Sequence, residues 1–189
     1  MDFTKFFAEY FAKEHETIQK LDLEEINQAI NAIKCAWMNG NQIYSMGNGG
    51  SASTASHMVC DFNKNVSLQT GHKFNMICLN DNLPIMMAIA NDISYDQVFK
   101  LQLQDNVKAG DLIIAFSGSG NSNNIVQAVE YAKKQGAVIV GITGYDGGKL
   151  RKIADYSMHV PCNDMQVAED LHLAFVHMIM RAFYQALEK

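Results

Sequence analysis

The chain is poor in the features that would place it in several broad classes. It has only two prolines and one tryptophan in 189 residues. With 48% hydrophobic and 19% charged residues it has the composition of an ordinary globular protein, not of a disordered one. Its four cysteines, Cys35, Cys60, Cys78 and Cys162, form no C-x-x-C pair, which excludes a zinc knuckle and a dense disulfide framework and predicts buried free thiols. No apolar run approaches the twenty or so residues that cross a bilayer, and the first ten residues carry charge where a signal peptide would be apolar, so no membrane association and a cytoplasmic location are expected. There is no basic stripe, and the net charge is -5. Direct binding to nucleic acid, which rests on clustered Lys and Arg, is therefore not expected.

One domain spanning 1–189 is expected, because two halves of this length would each be near the lower limit for independent folding. Residues 1–40 read as two helices. Phe3, Phe6, Phe7, Tyr10 and Phe11 fall on one helical stripe that needs a partner surface. Asp22 suits an N-cap with Glu24 and Glu25 in the first turn, and Asn39-Gly40 suits the C-terminal end.

The texture changes after Gly40. Short apolar runs at 42–47, 74–80, 111–120, 137–144 and 156–161 are bounded by Gly, Ser, Asn and Asp, which predicts five strands. Helical patterns lie between them at 51–62, 83–90, 95–106, 122–135 and 148–154, and a long helix at 165–188 follows the last strand. Such alternation implies right-handed crossovers, and hence an α/β core over 41–189 with a parallel sheet and helices on both faces.

Two strand-to-helix turns are rich in Gly and hydroxyl residues. One is Met46-Gly47-Asn48-Gly49-Gly50-Ser51-Ala52-Ser53, and the other is Phe116-Ser117-Gly118-Ser119-Gly120-Asn121-Ser122. Glycine lets a backbone approach a ligand closely, and a helix start offers free N–H groups to an anion. Neither turn is followed by G-K-[ST], and neither forms a full G-x-G-x-x-G with a distal acid, which argues against a nucleotide. Two hydroxyl-rich turns of this kind predict a phosphorylated small molecule at the carboxyl edge of the sheet.

The order GNGGSASTASH, IAND, SGSGNS, TGYDGG and a late AEDLHLAFVH helix resembles the sugar isomerase (SIS) domain, and within it the phosphoheptose isomerases, over nearly the whole chain. The resemblance implies a three-layer sandwich around a five-stranded parallel sheet. It also implies aldose-ketose isomerisation of sedoheptulose 7-phosphate for lipopolysaccharide, capsule or S-layer glycan. Asn48, Gly49, Gly50 and Ser51 match its first ligand loop, Asn91 and Asp92 a substrate-contacting pair, and Ser117, Gly118, Ser119 and Ser122 its phosphate loop. Zinc ligands of the family fall on His57, Asp61, Glu169 and His177, with Asp61 and His177 as the acid/base pair and Glu169 also against substrate. Three positions depart from the pattern: Asp61 stands for Glu, Glu169 for Gln, and Asn65 for Arg. Alternatives within the family are an enzyme for another phosphosugar, and a non-catalytic protein similar to the bacterial factor that binds the replication initiator.

The spacing of these residues suits their implied roles. His57 and Asp61 are four apart, so on a helix they share a face. Glu169 and His177 are eight apart, differ by roughly 80° around a helix axis and can converge on a ligand about two turns long. By residue type alone, His172 and His177 in an apolar helix read as satisfied core or interface histidines, and Asp61 as a solvated carboxylate. The aromatic stripe and the Met178, Met180 and Phe183 surface, together with the resemblance, predict a homotetramer.

Overall fold

The computed structural model describes residues 1–187. Five strands, β1 (Ile43–Met46), β2 (Met76–Cys78), β3 (Leu112–Ser117), β4 (Val138–Thr143) and β5 (Tyr156–His159), form one parallel sheet in the order β2-β1-β3-β4-β5. The main helices are α1 (Thr4–Ile18), α2 (Leu23–Met38), α3 (Gly50–Cys60), α4 (Ser67–Thr70), α5 (Leu83–Asp92), α6 (Lys100–Leu103), α7 (Asn123–Lys134), α8 (Gly148–Ile153) and α9 (Met165–Leu187).

Side-chain alternation along the strands divides the core in two. Ile43, Leu112, Ile114, Phe116, Val140 and Ile142 pack under α2, α3 and α9. Tyr44, Met46, Ile113, Ala115 and Ile139 face the other way, against α6, α7 and α8. The result is the three-layer α/β sandwich expected from the sequence. Asp22 caps α2 as expected, its Oδ1 accepting from the Glu24 and Glu25 N–H groups at 3.0 Å each. Among the described residues, no helix is long and apolar enough to cross a membrane.

Several expectations need correction. The helix beginning near residue 51 does not stop at 62: α3 passes at Asp61 into a π-helical segment, Asp61–Val66, and then into α4. The single helix expected over 95–106 is a 3₁₀ turn, Tyr95–Gln97, followed by the short α6. Cys35 and Cys60 are exposed, and only Cys78 and Cys162 are buried, because the first two lie on the outer faces of their helices. His172 is buried at 1% exposure, yet neither ring nitrogen has a hydrogen-bond partner among the described residues. It is a core histidine but not a satisfied one.

The α1 helix lies against α9, tied by the Tyr10 hydroxyl to Asp170 and by Lys13 Nζ to Asp164 Oδ2 at 2.5 Å. Its Phe3, Phe6, Phe7 and Phe11 side chains remain exposed on this chain.

Candidate active site

All five strands are parallel, so their carboxyl ends lie at one edge. The chain runs from β1 to the neighbouring β2 and then crosses to the other side of β1 to form β3. The change of direction therefore falls between β1 and β3, where open α/β sheets leave a crevice for ligands. Both Gly/Ser turns emerge there.

The first turn is shaped by close packing. A Cβ on Gly47 would meet the Ser51 carbonyl oxygen at 2.4 Å, and Gly49 has φ +55°, a conformation that side-chain-bearing residues rarely adopt. Ser51 is buried in the first turn of α3. In the second turn Ser117 is buried, and its Oγ lies 3.4 Å from the Ser122 Oγ. The Ser122 side chain makes no capping bond to α7, and Ser119 Oγ accepts from the Asn121 N–H at 3.2 Å. Gly118 packs closely under the Met165 side chain, whose Sδ would be 2.5 Å from a Cβ placed there.

Three of the four expected metal ligands converge. His57 stands near the end of α3, Asp61 opens the π-helical segment one turn later, and His177 comes from α9, which packs on α3. His57 Nε2 is 3.1 Å from His177 Nε2 and 3.2 Å from Asp61 Oδ2, while His177 Nε2 is 3.8 Å from that same oxygen. Asp61 is not a solvated carboxylate, since its side chain is only 14% exposed. Its other oxygen, Oδ1, accepts from Asn65 Nδ2 at 3.1 Å. Tyr184, one helical stretch beyond His177, has its phenol held above the usual range by burial and then by the Asp61 charge.

This donor set fits a zinc ion. Ligands about 2.0–2.1 Å from a tetrahedral ion stand roughly 3.3–3.4 Å apart, and two imidazoles with one carboxylate leave a fourth position open, as catalytic sites do. The three donor atoms lie within 4.8 Å of one another. Glu169 is not part of this group. Its carboxylate lies instead over the first turn of α3, where Oε2 would be 2.4 Å from a Cβ on Gly50.

The remaining candidates behave differently. Asn91 and Asp92 end α5 and are exposed, joined to each other through Asn91 Nδ2 and Asp92 Oδ1 at 2.8 Å. The Asn48 side chain is bonded to Asn124 and Tyr95, two residues that reading the sequence did not single out. No local pattern marks them, because their partner lies 76 and 47 residues away.

An open, doubly wound α/β protein with its ligand edge at the β1/β3 crossing is the class that these features define. The chain belongs to the SIS-domain family, whose model matches residues 6–144. It is 34% identical over 165 residues to a probable phosphoheptose isomerase of Thermoplasma acidophilum, covering 84% of this chain and 87% of that protein. It is 36% identical over 172 residues to a phosphoheptose isomerase of Aliarcobacter butzleri, covering 90% and 88%. The phosphoheptose isomerase of Neisseria gonorrhoeae superposes with a TM-score of 0.86 at 28% identity, over 96% of this chain and 98% of that one.

Proposed function

We propose that this chain is a phosphoheptose isomerase that interconverts sedoheptulose 7-phosphate and glycero-manno-heptose 7-phosphate. The observation that carries the reading is the convergence of His57, Asp61 and His177 from α3, the π-helical segment and α9. Relatives similar over most of the chain bear that enzyme's name. A scaffold protein would have no use for two imidazoles and a carboxylate arranged in this way.

The reaction moves a proton between C1 and C2 through an enediol, which requires a base, an acid and stabilisation of charge on two oxygens. Asp61 takes the carbon-bound proton of the ketose and returns it to the neighbouring carbon. His177 exchanges the protons of the two oxygens as carbonyl and hydroxyl trade places. A zinc ion held by His57, Asp61 and His177 would supply Lewis-acid polarisation of the carbonyl and hydroxyl oxygens. The phosphate, remote from the reacting carbons, is anchored by Ser51, Ser117, Ser119 and Ser122 with the N–H groups of the two turns, and its binding energy orients the sugar. Glu169 and the Asn91–Asp92 pair face the sugar hydroxyls.

The exposed aromatic face of α1 and the apolar Leu83, Ile85 and Met87 of α5 support a homo-oligomer, which we take to be a tetramer. We place the enzyme in the cytoplasm, supplying heptose for surface glycan. The test is to incubate the zinc-loaded protein with sedoheptulose 7-phosphate in deuterium oxide. Aldose product carrying deuterium at C2 is expected, and absence of both product and exchange defeats the proposal.

A further inference from the structure

The α5 helix carries Asn91 and Asp92 but contributes no buried residue to the core. Leu83, Ile85 and Met87 are exposed, and only Met86, Ile89 and Ala90 rest partly against the core. Apolar packing therefore does little to place the end of this helix. The 3₁₀ turn that follows it does more, because each of its three side chains bonds to another element. The Tyr95 hydroxyl donates to Asn48 Oδ1 at 2.8 Å, Asp96 Oδ2 accepts from Asn123 Nδ2 at 2.6 Å, and Gln97 Nε2 donates to Gln127 Oε1 at 2.5 Å.

The partners of this turn belong to the first Gly/Ser turn and to the helix that follows the second. Asn48 sits in the first, while Asn123 and Gln127 lie on α7, which opens directly after the second. The first turn is also joined directly to the start of α7, since Asn48 and Asn124 exchange two amide bonds, each 2.9 Å long. Asn124 is 2% exposed, so breaking that pair would strand buried polar atoms. The Asn48 oxygen accepts from both Asn124 and Tyr95, and its amide group donates to Asn124. Its side chain is thus engaged within the protein, which leaves the backbone as the part of Asn48 that faces a ligand.

We propose that the Tyr95–Gln97 turn is a polar clasp that positions the Asn91–Asp92 pair against the phosphate-binding turns, with Tyr95 and Asn124 as positioning residues for isomerisation. Anion binding at the turns is transmitted through Asn48 and α7 to the end of α5, so the sugar-contacting pair comes into place when the phosphate arrives. The kinetic part of this inference rests on the isomerase reading, whereas the mechanical part does not.

Tyr95→Phe removes one hydroxyl from an exposed ring and should leave the fold intact. Two measurements test it. The first is amide hydrogen exchange at Ile93 and Ser94, whose N–H groups both bond to the Ile89 carbonyl, with and without inorganic phosphate. In the wild type, phosphate should slow exchange there. In Tyr95→Phe, phosphate should bind within about twofold of wild type while that protection disappears, a change of roughly five- to tenfold for one lost hydrogen bond. The second is steady-state kinetics with sedoheptulose 7-phosphate, where kcat should fall by a similar factor with KM nearly unchanged. Equal phosphate protection in both proteins, or none in the wild type, overturns the clasp, and so does faster exchange that phosphate affects equally in both. A wild type that does not turn over the sugar defeats the isomerase reading, and the exchange experiment still decides the clasp.

Discussion

The carboxylate of Glu169, on α9, lies so close over Gly50 that a Cβ at position 50 would stand 2.4 Å from Oε2. This contact is relieved differently from the one at Gly47, where a Cβ would meet the Ser51 backbone oxygen at the same distance. A long side chain can swing aside, but a backbone carbonyl in a helix cannot. Gly50→Ala is therefore expected to change stability by less than about 1 kcal/mol while displacing Glu169 and lowering kcat/KM, whereas Gly47→Ala costs about 1–3 kcal/mol by overpacking. Urea denaturation of both variants, with parallel assays, separates the two effects. Equal destabilisation would mean that Glu169 is held as rigidly as the helix backbone.

Asp61 is the second test. An amide keeps the shape of the carboxylate but cannot take a proton, so Asp61→Asn should lose about 10²–10⁴-fold in turnover. Asp61→Glu should lose less, since the longer carboxylate can still reach the substrate once the Asn65 contact adjusts. The reading that matters is solvent exchange of the ketose C1 proton at matched zinc occupancy, and undiminished exchange in Asp61→Asn would remove it as the base.

Much of this architecture could be read from the residues. The five strands were visible because apolar runs end in Gly, Ser or Asn, and the His57–Asp61 pair because four residues make one helical turn. The His57–His177 approach was legible only through the family resemblance, since it depends on how α9 packs on α3, which no local spacing encodes. Nor was the break in the expected helix at 95–106. There, Tyr95, Asp96 and Gln97 side chains bond to partners on other elements, and these tertiary bonds override a helical pattern. The exposure of Cys35 and Cys60 was missed for a simpler reason: a thiol carries no sign of which helix face it occupies.

The phosphate turn admits a direct electrostatic test. Ser119 stands between two glycines, and a Cβ on Gly120 would lie 2.0 Å from the Gly147 carbonyl oxygen, so the turn has little freedom to retreat. Ser119→Asp places a negative charge at the expected phosphate position. Inorganic phosphate and sedoheptulose 7-phosphate should both bind at least tenfold more weakly, which corresponds to about 1.4 kcal/mol. Calorimetry with each ligand reads the change, and retained affinity for both would locate the anion elsewhere.

The final prediction concerns acid stability and rests on His172. Its ring lies on α9 between Phe116 and Phe175, with centroids 6.5 and 6.4 Å away, and neither nitrogen has a hydrogen-bond partner among the described residues. Burial pushes the imidazole down to about 4; the nearby Thr143 backbone opposes this slightly without forming a bond of ordinary geometry, and His159 adds to the lowering. An unfolded chain returns this histidine to the ordinary value near 6.5. Between those two values the unfolded state binds the extra proton, so this contribution is complete above about pH 6.5 and is lost as the pH falls toward 4. At about 1.4 kcal/mol per unit the loss is of order 3 kcal/mol. His159, whose imidazole is also lowered chiefly by burial, acts in the same direction. His172→Leu replaces the unpartnered ring with an apolar side chain of similar size, which should be neutral or stabilising at pH 7. Urea midpoints measured from pH 7.5 to 4.5 should fall more steeply for the wild type than for the variant. Carboxylates that titrate in acid affect both proteins equally and cancel in the difference. Parallel curves would mean that His172 accepts a proton in the folded state, and that a partner for its charge lies within the core.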